Sequence, residues 1–377
     1  MGTQMKSVAV SSFVETTNKI ATLFHLSRIM LGQEALCKIL QATNLSTGLI
    51  ENPTQRESST LTIHSIDLAI DLINNGFNDT HGICAALFHD IIERNPAHVR
   101  ELARKIYLFD KEVFQISKSL YDIRNLQPCD NDLSNLNSEI HRATRGDTSA
   151  FIVKIFDVLA HSFPKDFDTY SADEALNRAK HATLYIRYAI LLGMTEVADS
   201  IVNKILPYLM PTTALHIQNT LEQWGSDFEP HLSQLARHLY TLVNGVADVA
   251  IQKNTLASYF EIGTELTSWH TTRVGWPICT IQIVLQYNQD SAWVILGKIQ
   301  QQFKLANHNI TDNLNADLNS SLYGPRHPSW KPILKALETR IIWDGKPICI
   351  SIVHKDALAT YKRGILVNYV REQPLKE

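Results

Sequence analysis

An adjacent His-Asp pair stands at the centre of residues 84–96, CAALFHDIIERNP. His89 and Asp90 lie in a helical pattern, because apolar residues recur beside them at four-residue spacing. His64 lies 25 residues upstream (89 − 64) and Asp157 lies 68 residues downstream (157 − 89), each in another segment of helical periodicity. Two imidazoles and two carboxylates from three helices form a mixed N/O ligand set that suits a divalent metal such as Mn, Fe or Zn.

The helices that must position these residues have recognisable starts and stops. Residues 78–80, Asn-Asp-Thr, supply N-cap candidates for the helix that carries the His-Asp pair. Residues 75–76, Asn-Gly, end a helix predicted over 62–74. Asp147 is predicted to cap an apolar helix that carries Asp157. An acid among so many apolar residues is costly to bury alone, and a metal ion or an imidazolium would compensate it.

Two of these segments resemble motifs of the RelA/SpoT homologue family. LFHDIIE, residues 87–93, looks like that family's LLHDVVED, and FIVKIFDVLAH, residues 151–161, looks like its VLIKLADRLHN. The order and the spacing of the ligand-type residues also match. The resemblance implies an all-helical HD domain that hydrolyses guanosine tetra- and pentaphosphate with manganese. It implies that the manganese ligands are His64, His89, Asp90 and Asp157.

The same motifs imply roles for neighbouring side chains. Glu93 occupies the place of the carboxylate that orients a water, which would make it the catalytic residue. Arg94 replaces the second acid of the family's Glu-Asp pair, and it could pair with Asp90 or hold a substrate phosphate. His161 occupies the place of an Asn that contacts the nucleotide, and Arg56 loosely resembles part of the family's Arg-Lys pair at the guanine pocket. The predicted substrate-binding residues are Arg56, Arg94, Lys154 and His161.

The C-terminal third has a different pattern from the helical segments before it. Helical periodicity is predicted throughout residues 194–254, after which ICTIQIVLQY alternates and two strands flank Asp344-Gly345. The order strand, helix, long loop, hairpin, helix is similar to the RelA/SpoT synthetase domain. Gln286 or a neighbour stands where a metal-binding Asp is expected, and residues 350–352 stand where a catalytic Glu is expected. Without those acids magnesium has no ligands, so we expect this domain to be inactive in pyrophosphoryl transfer.

The expected fold class is therefore α followed by α+β. We predict an all-helical HD-type domain over residues 1–200, a helical connector over 201–264 and a small mixed α+β synthetase-like domain over 265–377. The net charge of −3 without a basic block argues against a general nucleic-acid partner. Five cysteines without CxxC spacing fit free thiols in a reducing compartment. No segment has the apolar length of a membrane span. We expect a cytoplasmic protein, and homo-oligomerisation stays open.

Two functions from different classes follow from these residues. The first is a metal-dependent phosphohydrolase acting on guanosine 3'-diphosphate 5'-diphosphate or a related phosphorylated nucleotide. The second is a pseudoenzyme that serves as a nucleotide sensor or a scaffold. Retention of four ligand-type residues favours the enzyme, since a scaffold has no chemical need of them. Replacement of the second acid by Arg94 favours the pseudoenzyme.

Overall fold

The chain packs as two compact units in the computed structural model. One unit comprises Met1–Lys165 with Leu366–Glu377, and the other comprises Asp166–Ile365. The domains predicted from the sequence, residues 1–200, 201–264 and 265–377, have different boundaries from these units, and that division stays a prediction. The residues that the structure describes are 2–50, 58–94, 99–124, 142, 147–161, 171–243, 245–253, 255, 260–262, 269–271, 279–286, 291–305, 310–311, 336–344 and 346–367.

The described part of the first unit is helical. Its helices α3 (Ser58–Asn74), α4 (Thr80–Arg94) and α7 (Thr148–His161) pack against one another, and their fully buried side chains include Leu72, Phe88 and Phe156. This packing places the three segments that carry the ligand-type residues around one core. The helices are α1 Gly2–Met30, α2 Gln33–Ile50, α3 Ser58–Asn74, α4 Thr80–Arg94, α5 Val99–Phe109, α6 Lys111–Arg124 and α7 Thr148–His161.

Three predicted helix boundaries are confirmed, whereas α3 begins at Ser58, four residues before its predicted start at residue 62. Gly76 follows α3 with a φ of +92°, a left-handed conformation that glycine adopts without steric cost. Asp79 begins α4, since its Oδ1 accepts a hydrogen bond from the backbone N–H of His81 at 3.0 Å. Asp147 begins α7 in the same manner, because its Oδ1 accepts from the backbone N–H of Ser149 at 2.9 Å. Short polar side chains therefore determine where the ligand-bearing helices start.

The second unit combines helices with a small mixed sheet. Within its described residues the order of the sheet is β1 (Ala247–Lys253), β4 (Cys279–Leu285), β7 (Lys346–His354), β6 (Ala336–Trp343), β5 (Ile310–Thr311). Strand β4 pairs with β7 in parallel, and the other neighbours are antiparallel. A separate antiparallel pair joins β2 and β3. The elements are α8 Ala172–Leu191, α9 Thr195–Leu209, α10 Pro211–Val243, β1 Ala247–Lys253, β2 Phe260–Ile262, β3 Trp269–Thr271, β4 Cys279–Leu285, α11 Ser291–Leu305, β5 Ile310–Thr311, β6 Ala336–Trp343, β7 Lys346–His354 and α12 Lys355–Arg363.

One face of this sheet forms an apolar core with α10 and α11. Ile281 of β4 lies opposite Ile350 of β7 in the register, and both side chains are fully buried in that core. Leu235 of α10 and Ile299 of α11 belong to the same core. The hairpin predicted between two apolar strands is confirmed, since β6 and β7 pair antiparallel around Asp344, whose φ is +48°.

The helical pattern predicted up to residue 254 is wrong at its C-terminal end. Gly245, two residues after the last residue of α10, adopts a φ of +75°, and β1 begins at Ala247. Strand β1 pairs with β4 along its whole length, and Ala247 is buried in the apolar core. The sheet thus includes a strand from the segment predicted as a connector. None of the described helices combines the length and the apolar character needed to cross a membrane.

Candidate metal centre

Three helices of the first unit carry the four predicted ligand residues. His64 lies on α3, His89 and Asp90 lie on α4, and Asp157 lies on α7. His89, Asp90 and Asp157 are buried, with 2–3% of each residue exposed, and His64 is partly exposed. Burial of two carboxylates requires compensating positive charge, because an uncompensated carboxylate in an apolar core is very costly. The site therefore requires a positively charged group or ion close to the two carboxylates.

The polar atoms of these four side chains converge. Nε2 of His64 and Nε2 of His89 each lie 3.2 Å from Oδ1 of Asp157. Nε2 of His89 lies 3.7 Å from Oδ1 of Asp90, and Nε2 of His64 lies 3.9 Å from Oδ2 of Asp90. The two imidazole rings meet edge to face with their centroids 5.3 Å apart. Each ring therefore directs its Nε2 atom toward both carboxylates.

The tautomer of His89 follows from its backbone contact. Its Nδ1 lies 2.6 Å from the carbonyl oxygen of Ala86, and a carbonyl can only accept, so Nδ1 carries the hydrogen and donates it. A neutral His89 would then direct the lone pair of Nε2 at the oxygen of Asp157. That arrangement is favourable only when a cation, either a proton or a metal ion, lies between them. A backbone carbonyl that fixes the ring in this way is the usual support of a metal-binding histidine.

Asp157 is ionised in this environment. Burial alone would raise its pKa, but the ammonium of Lys154 and the imidazoles of His89 and His64 hold the pKa well below its ordinary value. Lys154 donates to Oδ2 of Asp157 at 2.6 Å, which leaves Oδ1 as the oxygen that faces the two histidines. Since metal ligands must be deprotonated, this carboxylate meets the requirement across the neutral pH range.

The donor set fits a small divalent ion. Ligand atoms of His64, His89 and Asp90 all lie within 4.8 Å of one another. The fourth predicted ligand, Asp157, is not part of that group, although its Oδ1 lies 3.2 Å from each histidine Nε2. Two donors at about 2.1 Å from one ion are about 3.0 Å apart at a right angle and about 4.2 Å apart on opposite sides. The measured Nε2–oxygen distances of 3.2–3.9 Å fall within that range. The 4.8 Å that spans the three-residue group exceeds it slightly, so the ligand atoms would have to move closer together around a bound ion. The cluster could therefore hold a metal ion, while the mixed N/O donors do not distinguish Mn from Fe or Zn.

Lys154 is the one predicted substrate-binding residue whose side chain is described. It is buried, with 7% of the residue exposed, and its ammonium contacts Asp157 at 2.6 Å. The i, i+3 spacing on one helix could have indicated this pairing in the sequence. The thiol of Cys84, five residues before His89 on α4, is no alternative ligand at neutral pH, because burial strongly raises its pKa. The side chains of four other residues with predicted roles lie outside the described part of the structure: Arg56, Glu93, Arg94 and His161.

Comparison with known proteins adds no assignment to this site. No protein-family model matches the chain, and no curated protein matches it. The functional argument therefore depends on the chemistry of the residues and on the resemblance of its motifs.

Proposed function

We propose that the chain is a metal-dependent phosphohydrolase acting on a phosphorylated nucleotide, guanosine 3'-diphosphate 5'-diphosphate or a related compound. The observation that carries this proposal is the convergence of two imidazoles and two carboxylates from three helices. His89 and Asp157 alone could form a buried ion pair without a metal. The partly exposed His64 and the adjacent Asp90 are not needed for such a pair, but they are needed to complete a metal coordination sphere.

Different residues of the chain have different roles in the proposed hydrolysis. A bound divalent ion would polarise a phosphoryl oxygen and lower the pKa of water. Glu93 orients the attacking water as a general base. The substrate phosphates are held by Arg56, Arg94 and His161, because guanidinium and imidazolium groups donate hydrogen bonds to oxyanions. Lys154 acts through Asp157, because its ammonium is buried against that carboxylate.

The sheet of the second unit is inactive in pyrophosphoryl transfer in this proposal. Two observations support that part. Ile350 and Ile352, at the positions where the resemblance expects a catalytic Glu, are fully buried in the apolar core beside α10 and α11. Gln286, where a metal-binding Asp is expected, donates its amide to Oδ2 of Asp248. A neutral amide that donates in this way is a poor substitute for a magnesium-binding carboxylate.

The first experiment measures metal content and hydrolysis in matched histidine variants. Protein would be stripped with a chelator, reloaded with Mn²⁺ and analysed for bound metal after desalting. His64→Ala is expected to lose the metal, whereas His25→Ala, which removes an exposed histidine from α1, is expected to retain it. A phosphate-release panel would then include guanosine tetraphosphate, guanosine pentaphosphate and simple nucleoside polyphosphates.

The outcomes separate the two functions from each other. Metal binding with release of phosphate or pyrophosphate from one nucleotide, lost in His64→Ala and retained in His25→Ala, supports the hydrolase. Metal binding without turnover of any nucleotide supports the pseudoenzyme instead. Equal metal content in both variants would refute the metal centre. Synthesis of guanosine tetraphosphate from ATP and GDP would refute the inactivity proposed for the second unit.

A further inference from the structure

The helices α4 and α7, which carry three of the four ligand-type residues, begin at a shared polar contact. Oδ1 of Asp79 accepts from the backbone N–H of His81 in the first turn of α4. Oδ2 of the same carboxylate accepts a hydrogen bond from Oγ of Ser149, in the first turn of α7, at 2.6 Å. Asp79 is 4% exposed and Ser149 is fully buried. One carboxylate thus starts one helix and binds the start of another.

Two neighbouring residues, Asp147 and Gly82, allow the hydrogen bond between Ser149 and Asp79 to form. Asp147 accepts from the backbone N–H of Ser149, so the hydroxyl of Ser149 is held at the very start of α7 and directed toward α4. A Cβ added at Gly82 would lie 3.2 Å from Oδ2 of Asp79 and 2.7 Å from the ring of Phe77. Any side chain at Gly82 would therefore press on the carboxylate and on the ring behind it.

The separation between the Asp79–Ser149 contact and the metal centre is similar along α4 and along α7. His89 comes ten residues after Asp79 (89 − 79), and Asp157 comes eight residues after Ser149 (157 − 149). At about 1.5 Å per helical residue these separations are about 15 Å on α4 and about 12 Å on α7. The helices meet again at the second position, where Nε2 of His89 is 3.2 Å from Asp157. Two contacts in the same order show that α4 and α7 run in the same direction.

We propose that Asp79 and Ser149 are positioning residues of the metal centre. Their hydrogen bond holds α4 and α7 in the axial register at which Asp157 meets His89, and this inference rests on the proposed metal binding. Apolar packing between the helices is non-directional and tolerates a small slide, whereas a short hydrogen bond does not. Metal ligands tolerate only about 0.2 Å of error in bond length, so a slide at the start of α7 would weaken the centre.

The test compares two buried serines with Co²⁺ as the probe. Ser149→Ala removes the hydroxyl that binds Asp79. Ser27→Ala removes an equally buried hydroxyl that bonds only within its own helix, to the carbonyl of Leu23 at 2.7 Å. Cobalt affinity would be measured by competition with a chelator, and ligand geometry by the intensity of the visible d–d absorption. Ser149→Ala is expected to bind cobalt about tenfold more weakly with an altered spectrum, and Ser27→Ala to match the wild type.

A second variant keeps the test decisive if Ser149→Ala does not fold. Asp79→Asn retains an oxygen for the amide of His81 and removes the charge that strengthens the bond to Ser149, so it is expected to change the cobalt spectrum in the same direction. Wild-type cobalt affinity and spectrum in the folded variant would overturn this inference alone. Failure of the wild-type protein to bind cobalt would overturn the metal centre and this inference together.

Discussion

Replacing Lys154 by methionine tests how the charges of the metal centre are balanced. The ammonium of Lys154 lies 2.6 Å from Oδ2 of Asp157, and both residues are buried, at 7% and 3% exposure. Methionine keeps most of the apolar stem and removes the charge. In metal-free protein the carboxylate of Asp157 then loses its nearest cation. A bound divalent ion would replace part of that lost charge, so the effect of the substitution depends on metal.

The expected magnitude follows from this geometry. Breaking a buried ion pair by removing one partner costs about 3–5 kcal/mol, and we expect that loss in the free energy of unfolding of the metal-free Lys154→Met variant. The ammonium also repels a cation at Oδ1 of Asp157, so its removal favours metal binding. We expect at least about tenfold tighter Mn²⁺ binding, which equals about 1.4 kcal/mol of the lost stability regained at saturating metal.

The assay is urea unfolding with chelator and with saturating Mn²⁺, and Lys38→Met is the matched control. Nζ of Lys38 lies 2.6 Å from Oδ2 of Asp110, the same distance as in the buried pair, but these side chains are 27% and 20% exposed. Solvent screens such a pair, so we expect a loss of at most about 1 kcal/mol that is the same with and without metal.

Two results would refute the reasoning. An equal stability loss in Lys154→Met with and without Mn²⁺ would show that no cation binds beside Asp157. A raised KM for the nucleotide with unchanged metal-free stability would show that Lys154 contacts the substrate, as predicted from the sequence, and does not stabilise Asp157.

Four further substitutions have expected outcomes. Burial would raise the pKa of Asp110, but hydrogen bonds, first that from Lys38, hold this pKa below its ordinary value. The ionised Asp110 therefore stabilises the fold above about pH 4, and this contribution is lost as the pH falls through the pKa of Asp110 in the folded protein. Asparagine retains the helix cap but loses the charge that pairs with Lys38, so Asp110→Asn should cost at most about 1 kcal/mol at pH 7 and less at pH 3 in urea unfolding. Glu93→Gln should abolish nucleotide turnover, whereas Arg94→Ala should mainly raise KM; wild-type turnover in the first would contradict the mechanism. Gly364→Ala should lower the free energy of unfolding by more than about 2 kcal/mol, because the added Cβ would lie 2.2 Å from a backbone carbonyl carbon in the turn after α8.

Features that depend on neighbouring residues could be predicted from the sequence. The stop at Gly76, the caps at Asp79 and Asp147 and the hairpin at Asp344 are confirmed, since each is determined by a side chain or a φ value within a few residues. The strand β1 was not predictable in this way, because its backbone hydrogen bonds are completed by β4, about thirty residues later.

The candidate site shows the same limit. The ligand-type residues were identifiable because their types and spacing are visible in the chain. The contact between Asp79 and Ser149 joins residues 70 positions apart, and no local signal predicts which hydroxyl meets which carboxylate. The hydrogen bond from His89 to the carbonyl of Ala86 could not be predicted from the sequence either, because every residue has a carbonyl and only the helix geometry selects this one.

The sheet order has a consequence for the way the chain matures on the ribosome. Strand β7, Lys346–His354, lies in the middle of the sheet, and it joins β4 to β6. Before its synthesis the pairs β1–β4 and β5–β6 have no strand between them, so Ile281 and Leu337 lack the neighbour that covers them. Contacts that wait for a distant segment form slowly, and exposed strand edges invite aggregation in the meantime. A released chain truncated before residue 346 should therefore depend on chaperones, whereas a chain that also contains residues 346–354 has the strand that joins the two pairs.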